Sequence, residues 1–108
     1  MTVKEFLAFA ISRGYRAHTD ASGIKPDASA YAYKRAESTR ICEINGRSPE
    51  IVLYFYAGFS RMPPAIEADI YGMFGGLNRK IEIYGKTPEE IVARIDEIEA
   101  ALVRMWEA

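Results

Sequence analysis

Cysteine and histidine are nearly absent from this chain, which has one of each, Cys42 and His18. A single cysteine excludes an internal disulfide, and one cysteine with one histidine cannot supply the usual structural zinc sites. We therefore expect a fold that a hydrophobic core stabilises, with no metal and no cofactor. Cys42 is expected to be a small buried side chain in a strand.

Long apolar runs are also missing. No stretch approaches the roughly 20 apolar residues that span a bilayer, and the N-terminal segment has Glu5 within an apolar run too short for a signal peptide. The 108 residues are 49% hydrophobic and 27% charged, which is ordinary for one globular domain. These features predict a single-domain protein, residues 1–108, of the cytoplasm with no membrane partner.

The net charge is only −1, but its sign changes along the chain. Residues 1–48 hold eight Lys or Arg against five Asp or Glu, whereas residues 49–108 hold six against ten. Such a split can reflect head-to-tail association of copies, or a basic edge that meets a ligand.

An uncharged segment, residues 51–59 with the sequence IVLYFYAGF, is the strongest strand signal. Its β-branched and aromatic residues on both faces predict a sheet that is at least partly covered on both sides. Residues 65–71 and 79–84 alternate apolar and polar side chains, as half-buried strands do. Short connections make these strands antiparallel neighbours.

Helices are predicted at both ends of the chain. Thr2 and Glu5 form a capping box, and Gly14 ends the first helix near residue 13. A second capping box, Thr87 with Glu90, begins a helix that runs to about Trp106. The apolar stripes consist of Val3, Phe6, Leu7, Ala10 and Ile11 in the first helix and of Ile91, Ile95, Ile98, Leu102 and Met105, widened by Val92, Val103 and Trp106, in the second.

Residues 29–37 are ambiguous. Alternation would place Tyr31, Tyr33 and Arg35 on one side of a strand, whereas the abundant alanine would support a short helix. We favour the strand.

A hairpin turn at 36–38 and a second strand at 39–44 would follow, and that second strand would pair with the strand at 51–57. The earlier residues 15–28 are rich in turn formers, so we interpret them as a connection with a short strand at 15–19.

Together these elements predict an α+β, two-layer domain. Its layers are an antiparallel four- to five-stranded meander sheet and the N-terminal and C-terminal helices, both packed on one face. The opposite face would then carry tyrosines and carboxylates, and tyrosine is enriched in the cores of protein interfaces. We predict a partner-binding or dimer face made of Tyr54, Tyr56, Glu67, Asp69, Tyr71, Glu82 and Tyr84. The alternative is an ordinary solvated face with cross-strand aromatic pairs.

Two loops carry more apolar side chains than a loop needs, and they are either partner contacts or local hydrophobic plugs. Neither has the glycine spacing or the lysine of a phosphate-binding loop. The candidate loop contacts are Phe59, Arg61 and Met62 in the first loop and Met73 and Phe74 in the second.

Basic and aromatic residues interleave in the first half of the chain, which suggests an edge able to bind nucleic acid. The alternative is a charged edge strand that prevents aggregation. The residues of this candidate edge are Tyr31, Tyr33, Lys34, Arg35, Arg40 and Arg47.

No catalytic signature is present. His18 and Asp20 are the only material for a triad, and no G-x-S-x-G elbow accompanies them. We expect a small non-enzymatic protein-interaction module that forms a homodimer. One form would be a stoichiometric inhibitor of a larger host complex, such as a phage anti-CRISPR protein or nuclease inhibitor. The alternative is a small nucleic-acid-binding accessory protein that uses the basic and aromatic edge.

Overall fold

A computed structural model describes residues 1–17, 29–42, 46–58, 63–71 and 78–108. In these ranges the chain forms a helix, five strands and a second helix. They are α1 (Val3–Ser12), β1 (Arg16–Ala17), β2 (Ala30–Arg35), β3 (Glu50–Tyr56), β4 (Ala65–Tyr71), β5 (Asn78–Glu82) and α2 (Pro88–Glu107). The strands form one sheet in the order β1-β2-β3-β4-β5, and neighbouring strands are antiparallel. The predicted α+β, two-layer architecture is confirmed.

Both helices begin at the predicted capping boxes. The Thr2 hydroxyl accepts from the Glu5 amide at 3.1 Å, and the Glu5 carboxylate accepts from the Thr2 amide at 3.1 Å. Thr87 and Glu90 repeat this pattern at 3.2 and 3.4 Å. These bonds satisfy amide groups that the first turn of a helix leaves without partners. Gly14, with φ of 86°, follows α1 in the left-handed conformation that ends many helices.

The two helices cover the same face of the sheet and share one core with it. Phe6 of α1 stacks on Phe55 of β3 with ring centroids 5.2 Å apart. Ala32 of β2 and Ala68 of β4 are buried on this face, where their small side chains let the helices approach closely. The core also includes Val3, Leu7, Ala10, Tyr15, Cys42, Ile51, Leu53, Ile66, Ile70, Ile81, Ile83, Ile91, Ile95, Ile98, Leu102 and Trp106.

The segment after β2 differs from the prediction. Residues 39–42 form no strand, and residues 43 and 44 lie outside the described part of the chain. Instead the Cys42 amide donates to the Arg47 carbonyl at 2.7 Å, and the Gly46 amide donates to the Cys42 carbonyl at 2.7 Å. The backbone bonds of Cys42 therefore close a local turn instead of joining a sheet ladder.

The strand that pairs with β3 is β2 itself, with Tyr31 opposite Tyr54. The predicted hairpin turn at 36–38 was also wrong, because the Ala36 amide donates to the Pro49 carbonyl at 2.8 Å and prolongs the β2–β3 pairing. The preference for a strand over a helix in residues 29–37 is confirmed.

Two smaller expectations also change. Ile11 is 58% exposed, because it lies roughly a quarter-turn around the helix from the centre of the buried stripe. The predicted strand at 15–19 is observed only as β1, and residues 18 and 19 lie outside the described ranges.

Candidate functional site

The face of the sheet opposite the helices is called the open face here. Within the described residues, no helix lies on it. Residues that are directly opposite in an antiparallel ladder share a face, so the strand register identifies its members. They are Arg16 of β1, Tyr31, Tyr33 and Arg35 of β2, Glu50, Val52, Tyr54 and Tyr56 of β3, Ala65, Glu67 and Asp69 of β4, and Lys80 and Glu82 of β5.

Two surfaces that the sequence suggested separately are joined on the open face. Tyr31 of the candidate nucleic-acid edge lies directly opposite Tyr54 of the candidate partner face. Tyr33 in turn pairs with Arg16 of β1, so β2 is an inner strand and not an edge. The tyrosines of both candidate sites therefore form one surface.

Three tyrosines occupy the middle of this surface. The ring centroids of Tyr31 and Tyr54 are 5.9 Å apart, and those of Tyr31 and Tyr33 are 6.4 Å apart. Val52 lies opposite Tyr33 and is only 5% exposed. Aromatic pairs at these distances contribute about 0.5–1.5 kcal/mol beyond the burial of their area. The cluster is thus held in place by its own packing while the three rings remain half-buried.

Carboxylates surround the tyrosines on the β4 side. The Tyr56 hydroxyl is 3.4 Å from Oε2 of Glu67, at the long end of a hydrogen bond, and Tyr56 is 40% exposed. Partial burial raises the pKa of Tyr56, and the nearby charge of Glu67 raises it further. Tyr56 is therefore a neutral hydrogen-bond donor at ordinary pH, beside the half-buried Glu67 and Asp69.

Lys34, Arg40 and Arg47 of the candidate nucleic-acid edge lie elsewhere. Lys34 alternates with Tyr33 and Arg35, so its side chain is on the helix side, where its ammonium is 2.6 Å from a Glu99 oxygen. Arg40 donates to the Trp106 carbonyl at 2.7 Å. Arg47 is exposed in the turn before β3. These three do not join the open face.

The remaining candidates are less closely defined. Tyr84 follows β5 in a turn and is 79% exposed. The backbone of Tyr71 pairs with Glu50 in the ladder. The loop residues Phe59, Arg61, Met62, Met73 and Phe74, as well as His18 and Asp20, lie outside the described ranges.

A polar cleft of about 680 Å³ lies between β2 and the two helices. Two ion pairs lie in it, Lys34 with Glu99 and Arg13 with Asp96, the latter at 3.2 Å. Sequence reasoning did not find this cleft, because its ion pairs join residues far apart in the chain. Its lining consists of Arg13, Lys34, Arg35, Glu37, Asp96, Glu99, Ala100, Val103 and Arg104.

In the part of the chain whose side chains are described, no three His, Cys, Asp or Glu side chains are grouped as metal ligands would be. None of its helices has the length and apolar character needed to cross a membrane.

No known protein family, curated protein or solved structure matches the chain. Of the two surfaces described above, the open face combines packed aromatic rings with unlike charges, whereas in the polar cleft four of the seven charged side chains form ion pairs with one another.

Proposed function

We propose that this chain is a non-enzymatic protein-interaction module, that the open face is its binding surface, and that it forms a homodimer. The observation that supports this proposal is the packed cluster of Tyr31, Tyr33 and Tyr54 in the middle of a sheet face on which no described helix lies. A tyrosine ring offers a large apolar area and a polar tip, and it loses little conformational entropy on binding because only two torsions are fixed.

The layout of the open face resembles that of protein interfaces in general. Such interfaces have an aromatic, well-packed centre and a polar rim that stays in contact with water. Here the tyrosines and Val52 form the centre, whereas the outer strands carry exposed charges at Arg16, Lys80 and Glu82. A partner that covers the centre would bury apolar area without burying the rim charges.

The same face offers little for catalysis. Glu67 and Asp69 are neighbouring carboxylates on one side of β4, and acid–base work by such a pair requires that one of them be removed from water in a concave site. Both side chains are only half-buried on the sheet face and so remain in contact with solvent. We therefore favour binding, and occupation of a surface on a larger host complex by a stoichiometric inhibitor is one use of it.

The decisive variant is Tyr54→Ala, measured by native mass spectrometry and by light scattering across a concentration series. Truncation of a central interface tyrosine typically costs about 2 kcal/mol of binding, so we expect the dissociation constant of the dimer to rise at least about tenfold. Tyr84→Ala is the matched control, since Tyr84 is 79% exposed in a turn beyond β5. Circular dichroism must show that both variants fold. An equal effect of the two substitutions, or none from Tyr54→Ala, would contradict the proposal.

One observation favours nucleic-acid binding as a second candidate. Arg16 and Arg35 share the open face with the neighbouring rings of Tyr31 and Tyr33, and bases stack on such rings beside cationic groups. A labelled single-stranded RNA, followed by fluorescence anisotropy, would then bind with an affinity that falls steeply as salt is added. Absence of binding at low ionic strength would remove this candidate.

A further inference from the structure

We infer that the partner on the open face is a second copy of this chain, and that two copies stack face to face about a two-fold axis parallel to β3. This inference rests on the proposed function, because it specifies how copies meet on the same surface. It is argued from the distribution of charge across the five strands.

Charge of opposite sign occupies the two halves of the open face. The strands follow one another across the sheet in chain order, so the uneven charge along the sequence becomes uneven charge across the surface. The β1–β2 half carries Arg16 and Arg35, and Arg35, at the end of β2, lies opposite Glu50 of the middle strand and also lines the polar cleft. The β4–β5 half carries three carboxylates and one ammonium, from Glu67, Asp69, Glu82 and Lys80.

Symmetry then distinguishes the two simplest ways of stacking the faces. Rotation about an axis parallel to β3 exchanges the halves, so β2 of one copy lies over β4 of the other and each basic half lies over an acidic half. Glu50, on the middle strand, then faces its own counterpart and is the one described charge that meets a like charge directly. Rotation about an in-plane axis perpendicular to the strands places each strand over itself, so each half lies over a half of the same sign. Because like charges in an interface are costly, the first arrangement is favoured. Sheets stacked in this aligned way cross at about 30° and lie about 10 Å apart.

The aromatic centre fits the same arrangement. β3 is the middle strand, so Tyr54 lies close to the two-fold axis and faces Tyr54 of the second copy. Tyr31 and Tyr33 of β2 would face Glu67 and Asp69 of β4 in the second copy. A phenolic hydroxyl opposite a carboxylate can donate a charge-assisted hydrogen bond. An isologous contact of this kind makes every such pairing twice.

The area available predicts a moderate affinity. A strand spacing of about 4.8 Å and a rise of about 3.4 Å give each strand residue roughly 16 Å² of face. The strands of one copy thus present a projected area of roughly 400–450 Å². Because side chains project from the sheet, the accessible area that two copies would bury is somewhat larger than twice this value, about 1,000 Å², which is the lower end for a specific interface. The dimer should therefore dissociate on dilution.

Two complementary charge-reversed variants test the arrangement. Arg16→Glu with Arg35→Glu makes both halves of the face negative, whereas Glu67→Lys with Glu82→Lys makes the acidic half positive. Each variant alone should dimerise at least about tenfold more weakly than the unmodified chain. An equimolar mixture of the two should form heterodimers, which native mass spectrometry resolves because the two masses differ. Lys4→Glu with Lys86→Glu changes the net charge as much as the first variant but lies off the open face, so it should leave dimerisation unchanged.

The outcomes separate this inference from the proposed function. Weaker homodimers of both charge-reversed variants, together with heterodimers in excess in their mixture, support the two-fold arrangement. Dimers that respond to Tyr54→Ala but not to either charge reversal would overturn the arrangement and leave the open face as a binding surface. Dimers that respond to none of these changes would place self-association elsewhere, for example along the outer edge of β5, and would overturn both. A chain that stays monomeric at every concentration would overturn this inference and the homodimer of the proposed function, and would leave the open face as a binding surface for a different protein.

Discussion

The hydroxyl of Tyr15 donates to Oε2 of Glu99 at a distance of 2.9 Å and so connects the residue before β1 to the middle of α2. The other oxygen of Glu99 accepts from the ammonium of Lys34 at 2.6 Å, and that ammonium lies 4.6 Å from the centroid of the Tyr15 ring. Side chains from three separate parts of the chain thus satisfy one another's polar groups.

Removal of the Tyr15 hydroxyl tests how much this connection contributes. In Tyr15→Phe the ring is kept, and Glu99 keeps its pairing with Lys34. We expect a loss of about 1.5–3 kcal/mol in the free energy of unfolding, as for other hydrogen bonds to charged groups. Thermal unfolding should then begin lower by roughly 4–8 °C per kcal/mol. Tyr84→Phe, at an exposed turn, is the control and should unfold as the unmodified chain does. If Tyr15→Phe unfolds at the same temperature as the unmodified chain, the hydrogen bond makes no net contribution to stability.

The same tyrosine predicts how stability changes at alkaline pH. Burial raises the pKa of Tyr15 above its ordinary value of 10.0, and the charge of Glu99 raises it further. Above about pH 10 the unfolded chain therefore loses the Tyr15 proton while the folded chain retains it. The folded state binds more protons, so its stability falls as the pH rises past that point. The contribution that the raised pKa of Tyr15 makes to stability is fully present below about pH 10.

Urea denaturation between about pH 8 and 11 measures this effect. The slope of stability against pH should be shallower in Tyr15→Phe than in the unmodified chain, so the difference between them narrows as the pH rises. Tyr84→Phe should keep the slope of the unmodified chain. Parallel curves for the unmodified chain and Tyr15→Phe would mean that Tyr15 titrates alike in the folded and unfolded states.

A second long-range contact fixes the end of α2. Nε1 of Trp106 donates to the Arg40 carbonyl at 2.8 Å, and Nη1 of Arg40 donates to the Trp106 carbonyl at 2.7 Å. The guanidinium carbon also lies 5.0 Å from the centroid of the indole ring. A cation at the C-terminus of a helix further interacts with the negative end of its dipole.

Arg40→Ala should therefore loosen the last turn of α2. Trp106 is the single tryptophan, so its fluorescence reports the change directly. We expect emission at longer wavelength as water reaches the indole, and a loss of about 1–2 kcal/mol of stability. Lys4→Ala, on the exposed side of α1, removes a charge without touching the indole and serves as the control. An emission maximum that stays in place would mean that the indole does not depend on Arg40.

These two contacts also show what the sequence could and could not predict. The stripe of α2 and the alternation in β4 arise from local periodicity, so their elements and buried faces were predictable. The choice between residues 30–35 and 39–44 as the neighbour of β3 depends on the local turn that Cys42 closes and on the anchoring of Arg40 by Trp106. Asn45-Gly46 signals a turn there but not which strand pairs with β3, and the contact between Arg40 and Trp106, 66 positions apart, has no local signature. The sequence also did not show that Tyr31 and Tyr54 lie on one face, because this follows from the pairing of β2 with β3.

The last prediction concerns how dimerisation depends on salt, because the arrangement inferred above places the oppositely charged halves of two open faces against each other. The Debye length falls from about 10 Å at 0.1 M salt to about 3 Å at 1 M. If unlike halves meet, added salt should weaken the dimer of the unmodified chain, with a several-fold rise in its dissociation constant. The variant Arg16→Glu with Arg35→Glu brings like charges together, so screening should strengthen its dimer instead.

The opposite signs of these two salt effects make the test specific. An interface held by tyrosines alone would bury the same apolar area in both proteins, and its affinity would change with salt in the same direction in each. Lys4→Glu with Lys86→Glu should follow the unmodified chain, because its reversed charges lie off the face. Sedimentation equilibrium at low and high salt measures all three dissociation constants. If all three constants changed in the same direction, the halves of the open face would not meet one another across the dimer.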